Sequence, residues 1–123
     1  MTTHPERVAA AVPADCKIVA LLHDAVEDGH TTQAEVDAVL PGPESHAIEL
    51  LTRPPLLTYA EYIELIARVS TMTGPATGHA GRIARAVKIA DLRDNLYGRP
   101  EGPPPESLRK RYEKALAVLE AAA

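Results

Sequence analysis

Apolar residues recur along the chain three and four positions apart, and prolines interrupt that rhythm at intervals suited to helices. Proline stands at 5, 13, 41, 43, 54, 55, 75, 100 and 103–105. Each one limits a helix, because its ring clashes with the preceding turn and it lacks an N–H. The first piece reads as a short helix from His4 to about Val12. Asp15 then looks like the N-cap of a helix running to about Asp28. Thr32 with Glu35 forms a capping box ahead of "QAEVDAVL", and Thr58 with Glu61 forms another ahead of "YAEYIELIARVS". Between them lies "PESHAIELLTR", stopped by Pro54 and Pro55. "TGPATGHAG" reads as a loop, "RIARAVKIADLRDNL" as a long helix apolar over most of its surface, and "PEGPPP" as a turn. The last helix is the amphipathic "ESLRKRYEKALAVLEAA". No alternating strand pattern, internal repeat or long linker interrupts the series. The expectation is therefore an all-α, compact bundle of about six helices, forming a single domain over 1–123.

Composition narrows that picture. Apolar residues make up 46% of the 123, with no Phe and no Trp, so the core has to be built from Ala, Leu, Val and Ile. A net charge of −4 and four tyrosines as the only aromatics argue against a nucleic-acid surface. The basic run "RKRYEK" and the arginines at 82, 85 and 93 read as a solvated face instead. Cys16 is the only cysteine and cannot form an internal disulfide, which points to a reducing, cytoplasmic compartment. No apolar run approaches the roughly 20 residues of a membrane span, and there is no signal-peptide pattern.

Two clusters of polar residues break the apolar pattern. In "LLHDAVEDGHTT", Cys16, Val19, Ala20, His23 and Val26 share one helical stripe, so His23 points toward the core. Glu27 stands one turn beyond His23, and Asp28 one turn beyond Asp24. A hydrogen-bonded core histidine beside solvated acids is the plain reading. Three carboxylates near the negative end of a helix dipole are more easily tolerated with a cation among them. An adjacent His-Asp pair offers a nitrogen and an oxygen to a borderline divalent metal. The second cluster lies in "VKIADLRDNL", where Asp91 borders the arc of Ile83, Val87 and Ala90, and Asn95 follows one turn later. Lys88 is placed to pair with Asp91 at i,i+3. Arg93 and Asp94 read as solvated. One further histidine, His4, stands before Pro5 at the mouth of the first helix.

The order His4, His23-Asp24, Asp91 resembles the H…HD…D pattern of the HD-domain metal-dependent phosphohydrolases. Within them, "HPERVAAAV" resembles the "HPxxVA" of the Rel/SpoT (p)ppGpp synthetase/hydrolases and their small stand-alone relatives. "LLHDAVED" resembles their "LLHDVVED", "LTR" with "YAEYIELIA" resembles the segment after their third helix, and "VKIADLRDNL" resembles "VKLADRLHNL". The resemblance implies an HD-domain helical bundle in which His4, His23, Asp24 and Asp91 bind one divalent metal, most often Mn2+. It implies that Glu27 and Asp28 position or activate the attacking water, and that Asn95 and Tyr112 contact the nucleotide. Arg53 follows "LT" as a candidate phosphate contact. Two departures stand out. Relatives carry a helix and a "GQxxKxGxPYxxHP" stretch before the histidine, whereas here three residues precede His4, which leaves that ligand expected on a loose end. The 19-residue step from His4 to His23 is also a few residues short, and "PADC" looks like a trimmed loop.

The implied chemistry is hydrolysis of a phosphate or pyrophosphate ester of a small nucleotide or metabolite, as in a (p)ppGpp 3′-pyrophosphohydrolase. The implied partner is that small phosphorylated molecule, with no nucleic acid and no membrane, and a homo-oligomer is compatible. Two rival readings are kept. His46 and His79 lie between the HD pair and Asp91, where two-metal relatives carry extra ligands. The other rival is a catalytically degenerate protein that binds metal, nucleotide or a partner without turnover.

Overall fold

Three threonines start helices. The computed structural model describes residues 2–122, and in it Thr3, Thr32 and Thr58 each accept a hydrogen bond from the backbone N–H three residues on. The glutamates Glu6, Glu35 and Glu61 close each box by accepting from the threonine backbone N–H. These caps open α1 (His4–Ala10), α3 (Gln33–Val39) and α5 (Tyr59–Ser70). The other helices are α2 (Lys17–Leu22), α4 (Gly42–Leu51), α6 (Thr77–Arg93) and α7 (Glu106–Ala121). A 3-10 turn (Ala14–Cys16) leads into α2, and a π-helical turn (Asp94–Gly98) follows α6. The described residues contain no strand, so the all-α class expected from the pattern is the observed one.

α6 is the central element, packed against α1, α2, α4, α5 and α7. Its buried residues include Ile83, Ala84, Val87, Ala90 and Leu92, met by Ile48 of α4, Ile63 and Ile66 of α5 and Leu119 of α7. Ala20, Ala47, Ala80 and Ala84 are fully buried, which allows the close helix approach that a core without Phe or Trp requires. α3 is peripheral. It packs on α4 and buries only Val36.

Four boundaries differ from the sequence expectation, the first being the start of α2, where Asp15 lies inside the 3-10 turn and caps no helix. Regular α2 ends at Leu22, and hydrogen-bonded turns carry the chain on to Gly29. There Gly29 takes a left-handed φ of 79°, its N–H donates to the Val26 carbonyl, and the His30 N–H donates to the Ala25 carbonyl. This is the paired 5→2 and 6→1 closure that a C-terminal glycine permits. The "TGPATGHAG" segment is not all loop, since α6 already begins at Thr77. The two glycines inside the helix serve close packing: a Cβ on Gly81 would lie 2.5 Å from the Val69 carbonyl carbon, and one on Gly78 would collide with the Met72 carbonyl oxygen. At the other end, the chain after Arg93 widens into the π turn instead of continuing as regular helix. No described helix is long and apolar enough to cross a membrane.

Candidate metal centre

α1 delivers its first residue, His4, to the C-terminal end of α6. The turn after α2 delivers His23 and Asp24, and α6 supplies Asp91 in its last turn. One donor atom from each of His4, His23 and Asp91 lies within 4.8 Å of the others, although His4 and Asp91 are 87 residues apart in sequence. The expected loose end at His4 is not what forms. Thr3 caps α1, Val8 and Ala9 are buried beneath it, and both imidazole nitrogens of His4 are engaged.

The hydrogen bonds decide which nitrogen faces the centre. His23 Nδ1 donates to the Ala20 carbonyl at 2.6 Å, which leaves Nε2 facing Asp91 Oδ1 at 3.3 Å and Asp24 Oδ2 at 3.1 Å. His4 Nε2 lies 2.7 Å from the same Asp91 oxygen. Asp91 is held from its other side, where Lys88 Nζ donates to Oδ2 at 2.9 Å, and Asn95 Nδ2 reaches Oδ1 at 3.4 Å. The ammonium of Lys88 lies 5.7 and 5.4 Å from the centroids of the Tyr59 and Tyr62 rings. Three donor atoms therefore converge, two imidazole nitrogens and one carboxylate oxygen, with a second carboxylate alongside.

This arrangement concentrates negative charge around two lone pairs and has to be neutralised. In the metal-free molecule protons do it. A hydrogen bond to Asp91 raises the His4 pKa against the opposing effect of burial, with Asp94 helping. Burial pulls His23 down, but Asp24 and Asp91 outweigh it and push it up to about 10. Burial works against the Asp91 carboxylate as well, yet hydrogen bonds from His23 and His4 and the charge of Lys88 hold it well below the usual range. A divalent cation supplies the same neutralisation with both imidazoles unprotonated. Two imidazole nitrogens with carboxylate oxygens form a donor set that suits a borderline divalent ion, so the residues present fit such a group.

Of the nine candidate residues, His4, His23 and Asp91 form the cluster, and Asp24 flanks it with a half-exposed side chain. Asn95 touches it through Asp91. Glu27 and Asp28 lie exposed on the turn beyond Asp24, where the Asp28 N–H donates to the Asp24 carbonyl, and neither side chain bonds the cluster among the described residues. Tyr112 is half-buried against Tyr59, with ring centroids 6.4 Å apart, one layer away from Lys88. Arg53 is exposed in the loop after α4 and donates to the Leu57 carbonyl. His46 and His79 stay outside the cluster. His46 lies in the middle of α4, and His79 lies in the first turn of α6 rather than in a loop.

Sequence reasoning missed Asp94, read there as solvated. It is buried, accepting from His4 Nδ1 at 2.6 Å through Oδ2 and from Arg7 Nε and Nη2 at 2.8 and 3.1 Å. Burial disfavours its charge, but the Arg7 fork and His4 hold its pKa below the ordinary value. Arg93, read the same way, is exposed and pairs with Glu120 at 2.6 Å. One signal was available for Asp94: it follows Asp91 by three positions and therefore shares its face.

No protein-family model matches the chain, and no curated protein matches it.

Proposed function

We propose that the chain is a metal-dependent phosphohydrolase of HD-domain type, acting on a small phosphorylated nucleotide or metabolite. The observation that carries the reading is the convergence of His4, His23 and Asp91 from three separate elements, with Asp24 beside them. Two imidazole nitrogens and a buried carboxylate oxygen brought this close together form a donor set that suits a divalent cation.

His4, His23, Asp24 and Asp91 would hold one divalent ion, with Mn2+ the first candidate. When bound, the ion supplies positive charge to a phosphoryl oxygen and acidifies water. Glu27 and Asp28, on the exposed turn next to the ligands, would orient a water or take its proton. Asn95 stands at the rim of the cluster for the sugar or phosphate, and Arg53 and Tyr112 are the further substrate contacts. The resemblance in "HPERVA", "LLHDAVED" and "VKIADLRDNL" favours a guanine nucleotide bearing a 3′-pyrophosphate, cleaved to the nucleoside diphosphate and pyrophosphate.

The test is metal content of protein purified without chelator, together with Mn2+-dependent release of phosphate or pyrophosphate from ppGpp and a nucleotide panel. Turnover that disappears in Asp24→Ala supports the hydrolase and ranks its substrates. Metal uptake without turnover assigns a binding role, and absence of metal uptake removes the mechanism.

A further inference from the structure

We propose that Asp94, clamped by Arg7, is the positioning residue that fixes His4 as a metal ligand. The inference rests on the metal-site reading above and names the part of this chain that sets one ligand's orientation.

A histidine can offer Nε2 to a cation only when its remaining proton sits on Nδ1, and the group facing Nδ1 decides that. For His23 the group is the Ala20 carbonyl, a backbone acceptor on its own helix. His4 begins α1, with no helical turn before it to offer the same kind of acceptor. Asp94 fills that role from the π turn after α6. Its Oδ2 lies 2.6 Å from His4 Nδ1, while Asp91 Oδ1 lies 2.7 Å from Nε2. The two carboxylates thus take opposite edges of one ring, which places Asp94 behind the ligand and not among the donors.

Asp94 is itself held in place. Arg7 lies one turn after His4 on α1 and reaches both Asp94 oxygens through a two-pronged contact, which fixes the carboxylate plane as well as its position. Asp94 also opens the π turn, and Gly98 closes it. A Cβ on Gly98 would collide with Asp94 Oδ1, so the turn leaves this carboxylate its space. His4, Arg7, Asp94 and Gly98 together do for His4 what one carbonyl does for His23.

A plain structural bridge between α1 and the π turn is the competing role, and two variants separate them. Arg7→Ala weakens the bridge but keeps the Asp94–His4 bond, whereas Asp94→Ala removes both. Mn2+ affinity by calorimetry and melting temperature are measured for each. Asp94→Ala is expected to weaken Mn2+ binding by about 10–100-fold. Arg7→Ala loosens the clamp but keeps the Asp94–His4 bond, so it is expected to lower the melting temperature and to weaken Mn2+ binding by less than Asp94→Ala does. Asp94→Asn keeps an acceptor oxygen and is expected to recover part of the loss, which also serves if the alanine variant does not fold. In Zn2+-loaded wild type, imidazole nitrogen NMR is expected to show the His4 proton on Nδ1 at low field, and that signal is expected to vanish in Asp94→Ala. Affinity unchanged in Asp94→Ala, or falling equally in Arg7→Ala, overturns the positioning role while the metal site stands. Failure of the wild type to bind Mn2+ or Zn2+ overturns the site and the inference together.

Discussion

Lys88 shows how much one side chain can carry when it is buried. Its ammonium is the fixed cation on Asp91, and burial disfavours its charge while the Asp91 carboxylate favours it strongly enough to raise the pKa. Lys88→Met keeps the stem but leaves Asp91 short of a positive partner. Breaking a buried pair by removing one member costs about 3–5 kcal/mol. We expect urea unfolding in chelator to show a loss of that order, and a smaller loss once Mn2+ is present, because the ion supplies charge to the same carboxylate. An equal loss in both conditions argues against an ion at Asp91. Cys16 is the second informative residue. Burial first, and neighbouring Asp15 second, push its thiol from 9.0 up to about 11. The unfolded chain then ionises before the folded one, so it binds fewer protons and stability falls as pH rises from about 9 toward 11. That contribution is absent in Cys16→Ala, so the stability difference between wild type and variant should shift against wild type across this interval. A difference that stays flat with pH contradicts the assignment. The same burial predicts that iodoacetamide at pH 8 labels Cys16 only after unfolding.

At the scale of elements, the capping boxes at Thr32 and Thr58 were legible because everything they need lies within four residues. The apolar stripe of Cys16, Val19, Ala20, His23 and Val26 was legible for the same reason: the first four are buried, and Val26, beyond the end of α2, is half-buried. The start of α6 was not. Locally, Gly78 and Gly81 argue for a loop, but within α6 they let the helix approach the backbone at the end of α5 and just beyond it. Asp94 was misread in a similar way, since its partners His4 and Arg7 lie 90 and 87 residues away. The same distinction gives one substitution two opposite signs. Ala is favoured over Gly by about 1 kcal/mol inside a helix. Gly42, in the first turn of α4, has open space where a Cβ would go, so Gly42→Ala is expected to be neutral or slightly stabilising. Gly81→Ala places its Cβ 2.5–2.7 Å from the backbone of Val69 and Ser70, which cannot move aside as a flexible side chain can. Overpacking of this kind costs about 1–3 kcal/mol, and thermal melts of the two variants should move in opposite directions or differ by several degrees. Equal effects would mean that α5 and α6 are not held that closely.

For the molecule as a whole, the cluster is completed only when α1 closes on the end of α6. His4 comes from one side of that contact and Asp91 from the other, so an ion bound by both ties the start of the chain to its C-terminal half. Such an ion binds the native state and not the unfolded chain, which adds about 2.7 kcal/mol at a hundredfold excess over Kd. For a chain of this size that corresponds to a rise in melting temperature of about 10 °C, reversed by chelator. The stabilisation should not be uniform. α3 buries only Val36 and packs on α4 alone among its principal contacts, so its amides open without disturbing the cluster. α1 cannot open without separating His4 from Asp91 and Asp94. Hydrogen exchange with and without Mn2+ should therefore show slowed exchange in α1 and in the last turn of α6, and little change in α3. Slowing confined to α3, or absent from α1, would place the ion elsewhere, because no ion held by His4 can leave the opening of α1 unaffected.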